Sequence, residues 1–295
     1  MISLVGEQPV PNLLAVLHVR PKRAVLVQTE RTKAVGERLR SVLRERGREQ
    51  GIVVEDEPLE VDPYDMTDIE SKIERFIRHK GWSPDKIAFN LTGGTKPMAL
   101  GAYRLAEQLS CPFLYVESEG KKSVVYHYRF SGDLELEKRE EVPPLIDIDF
   151  YLRAHLSGYA TGISKNEFEE MVHAVLAPEL DEVRPSVKPV PELGGLEIDL
   201  VLRCGNRVGI AEVKTGKKAR SKEGIEQIIT AAEQRFLGTY TKKFLILDRE
   251  YESNNRKLAE AHRITVIELP SAQNGKLSEE DTKKLIQTVK KELGG

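Results

Sequence analysis

The chain has 295 residues, 40% hydrophobic and 31% charged, with a formal net charge of −2. That composition excludes a disordered polyelectrolyte and an overall basic field, and the length suggests about two domains. Two cysteines, Cys111 and Cys204, exclude a disulfide framework and a cysteine metal cluster, and the expected setting is cytoplasmic, with no membrane span.

The first half alternates short apolar runs with amphipathic helical patterns. Strands are predicted at Ile2–Val5, Ala24–Gln28, Ile52–Val54, Leu59–Val61, Ile87–Leu91, Phe113–Glu117 and Ser123–Phe130. Helices are predicted at Pro11–Val19, Thr32–Arg46, Met66–His79 and Pro97–Leu109. Strand–helix alternation of this kind predicts a doubly wound, Rossmann-like parallel sheet over residues 1–140. The charged stretch Glu135–Pro144 reads as a boundary, with a linker over 141–162 that holds a short helical connector, Ile146–Leu156. A second α/β domain is expected over 163–295, with helices at Ser164–Leu176, Gly224–Phe236 and Arg256–His262. Its strands include Lys243–Leu247 and Thr265–Leu269, and Ser278-x-x-Asp281 opens a final helix.

In the second half the informative segment is Glu197–Gly216, EIDLVLRCGNRVGIAEVKTG. It predicts a β-hairpin about a turn at Cys204–Arg207, with Arg203 facing Val208. Asp199 then lies opposite Glu212, and Lys214 shares their face. Ile198, Leu200, Leu202, Ala211 and Val213 form a continuous apolar face on the other side. Two carboxylates about 4.5–5.5 Å apart at Cβ repel unless a cation lies between them. A hard divalent ion, Mn²⁺ or Mg²⁺, held by Asp199 and Glu212 answers that need and suits phosphodiester hydrolysis. Lys214 is placed to touch the attacking water or the scissile phosphate. Lys217, Lys218, Arg220 and Lys222 follow at once and are expected to track a phosphate backbone.

This arrangement resembles the PD-(D/E)xK nuclease superfamily from about Ser164 to Leu269. The resemblance implies a restriction-endonuclease-like α/β domain. It also implies a further acidic residue from the preceding helix, Glu169 rather than Glu167 or Glu170, and a polar residue from the following helix, Gln227 or, second, Gln234. The family often has a proline before the aspartate; here Glu197-Ile198-Asp199 stands instead.

In the first half, Thr92-Gly93-Gly94-Thr95-Lys96 turns from a buried strand into a helix with Pro97 at its start. Free N–H groups there, beside Lys96, favour an anion. The polar loop Gly6-Glu7-Gln8-Pro9, Asn12 and Thr29 belong to carboxyl ends of neighbouring strands, which share a rim. Capping is the other role open to Asn12 and Thr29. SLVGEQPVPNLL with NLTGGTKPMA resembles the CARF domain of CRISPR-associated ancillary nucleases, in which it precedes a PD-(D/E)xK domain. The resemblance implies a homodimer binding cyclic oligoadenylate, most often cyclic tetra-adenylate, through Gly6, Glu7, Gln8, Asn12, Thr29 and Thr92 to Lys96. Met98 is expected in the core. The implied function is activator-gated, metal-dependent cutting of DNA or RNA in type III CRISPR defence. The alternative is a CARF-containing sensor whose degenerate nuclease fold only binds nucleic acid.

Overall fold

A computed structural model describes residues 1–119, 122–190, 196–233, 237–238, 241–251 and 253–294. The chain divides into two compact units, Met1–Ile146 and Asp147–Gly295. No described helix is long and apolar enough to cross a membrane.

The first unit runs β1 (Ile2–Leu4), α1 (Val10–Val19), β2 (Arg23–Gln28), α2 (Lys33–Glu49), β3 (Val53–Val54), β4 (Leu59–Glu60) and α3 (Met66–His79). It continues with β5 (Phe89–Asn90), α4 (Lys96–Gln108), β6 (Phe113–Glu119), β7 (Lys122–Ser131) and β8 (Asp133–Glu141). The sheet order is β3-β2-β1-β5-β6-β7-β8, with β4 also paired to β2. Pairing is parallel from β3 through β6 and antiparallel across β6–β7–β8. The predicted parallel α/β sheet is therefore present. Local chemistry explains its helices. Asp65 caps α3 by accepting from the backbone N–H groups of Thr67 and Asp68, and Ile69, Ile73 and Ile77 form its buried stripe. Those isoleucines pack with Ile2, Leu4, Phe89 and Met98 in the core.

The stretch expected as a boundary, Glu135–Pro144, is instead largely β8, the outer strand of a hairpin with β7 about Gly132. Almost every residue of β8 is exposed, Leu134 and Leu136 included. A strand with no buried face has no apolar alternation to reveal it, and its charges suit an open sheet edge.

The second unit runs α5 (Ile148–His155), β9 (Tyr159–Thr161), α6 (Glu167–Leu176), β10 (Glu182–Pro189), β11 (Ile198–Cys204), β12 (Arg207–Lys214) and α7 (Glu223–Ala231). Then follow β13 (Lys242–Leu247), α8 (Ser253–Ala261), β14 (Thr265–Glu268) and α9 (Glu279–Leu293). The sheet order is β14-β13-β12-β11-β10-β9. The β9 to β12 ladder is antiparallel and the β12–β13–β14 ladder parallel. The expected linker over 141–162 thus holds α5 and β9, both part of this unit. β10 escaped the sequence reading because Pro185 and Pro189 argue against a strand with a neighbour on each side.

The hairpin register is the predicted one. Arg203 pairs with Val208 and Leu200 with Ala211, so the next step sets Asp199 opposite Glu212. Cys204 also pairs with Arg207, which leaves only Gly205 and Asn206 in the turn, with Gly205 at φ 61°. The predicted apolar face packs on α6 and α9 through Phe168, Val172, Leu176, Leu285 and Val289. The other face is covered too: Val201 and Ile210 are buried, and α7 lies against β12 and β13.

Candidate functional site

In the second unit, covering both faces takes a charged cluster out of water. Asp199, Glu212 and Lys214 are only 6%, 2% and 8% exposed. Lys214 Nζ donates to Glu212 Oε2 at 2.5 Å and to Asp199 Oδ2 at 2.9 Å. The same Asp199 oxygen accepts the Val213 backbone N–H at 2.8 Å. The ammonium of Lys214 thus lies between the two carboxylates. Burial and the charge of Asp199 push the Glu212 carboxyl well above the usual carboxylate range, although Lys214 opposes the shift. Burial would lower Lys214, but Glu212 and Asp199 outweigh it and hold the ammonium above its ordinary value.

Glu169 comes to the same cluster from the first turn of α6. Asn166 accepts from the Glu169 N–H at 3.0 Å. The Glu169 carboxylate reaches back to the Lys165 N–H and to Asn166 Nδ2, each at 2.7 Å. It therefore also closes the helix end, a reciprocal capping arrangement. It is buried, and burial with the nearby Asp199 charge raises its pKa. Glu167 and Glu170 take no such part in the hydrogen bonding. Gln227 lies one turn along α7 from Gly224. A Cβ on Gly224 would sit 3.3 Å from Lys214 Cγ, so the missing side chain lets α7 approach the lysine. The Gln227 Oε1 is buried and, among the described residues, has no hydrogen-bond partner. Gln234 lies outside the described residues. Lys217, Lys218 and Lys222 are exposed beside the end of β12, where Lys218–Arg220 forms a 3₁₀ turn.

Sequence reading missed two residues at this end of the sheet. Asp248, just past β13, is buried and accepts from Thr215 Oγ1 at 2.6 Å and the Gly216 N–H at 3.1 Å. It thereby pins the turn that follows Lys214, and Arg249 neutralises it at 2.7 Å. Lys165 pairs with Glu197 and feels the charges of Asp199 and Glu169. A charged pair directly after the apolar run Phe244–Leu247 was the available signal for Asp248.

In the first unit the predicted loops meet on one rim, since β2, β1 and β5 are neighbours. A Cβ on Gly6 would lie 3.1 Å from the Gly94 nitrogen. One on Gly93 would lie 2.2 Å from the Leu4 carbonyl oxygen and 2.9 Å from the Gly6 nitrogen. The two loops thus require glycine at their contact, and Gly94 has φ 78°. Gly93→Ala is expected to cost about 1–3 kcal/mol by overpacking against backbone. Thermal unfolding of the full chain checks it, and a variant as stable as the wild type would refute the contact.

The polar residues divide into two groups. Gly6, Glu7, Gln8, Gly93, Gly94 and Lys96 are partly or fully exposed, with Glu7 paired to Arg31 and Gln8 Nε2 buried without a hydrogen-bond partner among the described residues. Asn12, Thr29, Thr92 and Thr95 instead hold the rim together. Asn12 accepts from Ser3 Oγ at 2.6 Å, and Asn90 Nδ2 donates to that hydroxyl at 2.7 Å. Thr92 Oγ1 donates to Asn90 at 2.6 Å and accepts from the Val116 N–H at 2.8 Å. Thr29 bonds to Thr32 at the entry to α2, and Thr95 caps α4 by accepting from Met98 N–H at 3.3 Å. Asn12 is not the cap of α1, which is Pro9. Met98 is fully buried, as expected of a core residue. Ser3 and Asn90 were hidden from sequence reading because they face the interior of a parallel sheet, where polar residues are rare.

Residues 1–140 match the family model of the Card1 CARF domain. The matched residues make up nearly half of the chain. Among curated proteins none matches by sequence. Among solved structures, protein VC1899 from Vibrio cholerae is similar over 100% of this chain and 98% of its own, with a TM-score of 0.74 and 14% identity. Can2 from Sulfobacillus thermosulfidooxidans, solved with cyclic tetra-adenylate, is similar over 99% and 96%, with a TM-score of 0.71 and 15% identity. A type III CRISPR defence DNA nuclease activated by cyclic oligoadenylate has a TM-score of 0.56 and 18% identity. That match takes in 85% of this chain but 45% of the nuclease. At these identities the likeness is one of fold, and it embraces both units.

Proposed function

We propose that the chain is a metal-dependent endonuclease of type III CRISPR defence, switched on by a cyclic oligoadenylate bound to its CARF unit. The observation that carries this reading is the buried Asp199–Glu212 pair on neighbouring strands, bridged by Lys214. A fold maintained only for binding has no need to bury two carboxylates face to face, which costs several kcal/mol per ion. The donor set suits a hard divalent cation, since both groups offer carboxylate oxygens and such ions keep several waters. Asp199 and Glu212 would hold Mn²⁺ or Mg²⁺; bound there, the ion would supply a water of lowered pKa and stabilise charge on phosphorus.

The chain's own residues do the rest of the work. Lys214 neutralises the carboxylates in the free site and, once an ion takes that role, presents its ammonium to the scissile phosphate or the attacking water. Glu169 holds the start of α6 and adds an acidic group beside Asp199. Gln227, whose Oε1 has no hydrogen-bond partner among the described residues, orients water or phosphate. Lys217, Lys218, Arg220 and Lys222 are read as phosphate-tracking side chains. The cyclic tetra-adenylate bound to Can2 supports the same activator here. Such a ring suits two CARF units related by a two-fold axis, hence a homodimer. Gly6, Glu7, Gln8, Gly93, Gly94 and Lys96 would face it, with Asn12, Thr29, Thr92 and Thr95 supporting them.

The test is cleavage of single- and double-stranded DNA and RNA with Mn²⁺, with and without cyclic tetra-adenylate. Cutting only with the activator supports the reading. Equal cutting in both arms refutes the gating, and no cutting of any substrate refutes the nuclease assignment. A pH dependence follows as well. Because Glu212 holds its proton to higher pH than an ordinary carboxyl, protons compete with the ion. Apparent Mn²⁺ affinity, measured by calorimetry, is expected to rise with pH from the ordinary carboxylate range up to the raised Glu212 pKa and then level off. A flat profile would contradict the assignment of Glu212 as a ligand.

A further inference from the structure

Three side chains of the first unit meet away from the activator rim. His18 stands in the last turn of α1, His127 in β7 and Glu140 in β8. One donor atom from each lies within 4.8 Å of the others. His18 Nε2 is 3.6 Å and His127 Nε2 2.9 Å from Glu140 Oε2. The short contact does not satisfy the imidazole: His127 Nε2 is buried and has no partner of hydrogen-bond geometry among the described residues.

We propose that His18, His127 and Glu140 form a binding site for a transition-metal dication such as Zn²⁺. Two imidazole nitrogens and one carboxylate are the donor set that Zn²⁺ selects, whereas the all-oxygen Asp199–Glu212 pair suits Mg²⁺ or Mn²⁺. Tetrahedral bonds of about 2.0–2.1 Å set donors roughly 3.3 Å apart. The observed 2.9 and 3.6 Å bracket that spacing. Lys138 Nζ now lies 2.9 Å from the same Glu140 oxygen, on a half-exposed side chain free to swing aside. The metal takes the place of that ammonium. Ligation would tie the end of α1, whose start opens from the Gly6–Pro9 loop, to the outer β7–β8 hairpin. The inference is independent of the nuclease reading.

Untagged full-length protein titrated with Co²⁺ reports tetrahedral ligation by its visible absorption. The expected result is one equivalent of such Co²⁺, displaced by Zn²⁺, in the wild type and in Glu212→Gln. The His18→Gln/His127→Gln double variant is expected to lose that absorption, with affinity falling at least about tenfold, the scale set by losing even an outer-shell partner. Lys138→Gln, which removes only the competing ammonium at an exposed position, is expected to bind Co²⁺ more tightly and decides the matter if the double variant does not fold. No tetrahedral absorption in the wild type, its survival in the double variant, or unchanged binding by Lys138→Gln would overturn the site and leave an ion-pair cluster.

Discussion

Glu212→Gln is expected to reduce activator-dependent, Mn²⁺-dependent cutting by about a thousandfold or more while leaving the protein folded. Removal of one preorganised electrostatic donor typically costs ~10²–10³ in rate, and here a ligand of the ion itself is lost. Gln is isosteric with Glu, and its amide oxygen can still accept from Lys214, 2.5 Å away in the wild type. It also removes a buried carboxyl whose ionisation burial opposes. Structural collapse is therefore not the expected cause of the loss. Single-turnover cleavage and thermal unfolding on the same preparation separate the two effects. Wild-type cutting by the variant would remove Glu212 from the chemistry, whatever its place in the sheet.

Lys214→Met is expected to destabilise the second unit by about 3–5 kcal/mol in the absence of divalent ions, the usual cost of breaking a buried ion pair from one side. For a unit of this size each kcal/mol shifts Tm by ~2–4 °C, so the fall should be roughly 6–20 °C. Mn²⁺ should restore much of it. Without the ammonium, Asp199 and Glu212 are left opposite each other at 6% and 2% exposure, and a bound dication replaces the missing charge. The wild type, already neutralised by Lys214, should gain less from the same ion. Melting curves with and without Mn²⁺ check this. A variant whose Tm rises no more than that of the wild type would show that the pair is not a metal locus.

Both expectations turn on how the cluster is enclosed, and that was only partly legible in the chain. Alternation along Ile198–Lys214 set the register, because a slip of one residue would have turned Leu200, Leu202, Ala211 and Val213 to the wrong face. The opposition of Asp199 and Glu212 follows from it, one step beyond the Leu200–Ala211 pair of the folded hairpin. The hairpin pattern did not show the second cover. α7 closes over the carboxylate face, with Gly224 against Lys214, and burial together with the charge of Asp199 raises the Glu212 pKa. The sequence placed Lys214 on the face of the two carboxylates. The folded chain also brings its ammonium between them, because a lysine two residues on from Glu212 is long enough to bend back.

The glycine-rich rim of the first unit divides in the same way. Gly6, Gly93 and Gly94 could be singled out because a glycine-rich strand–helix turn has few other uses. The burial of Asn12 and the bond of Thr92 to Val116 could not, because Ser3 and Val116 come from other strands. The same holds for His18, His127 and Glu140, which no spacing connects.

By itself the sequence determined the elements that bury a face, the strand–helix order and the hairpin register, since each is written in a local period of apolar residues. Tertiary structure alone decided what had no such period: the exposed strand β8, the proline-bearing β10, and the meeting of charged groups from separate elements. Their placement depends on which surfaces exclude water from each other, and no local stretch of chain contains that information.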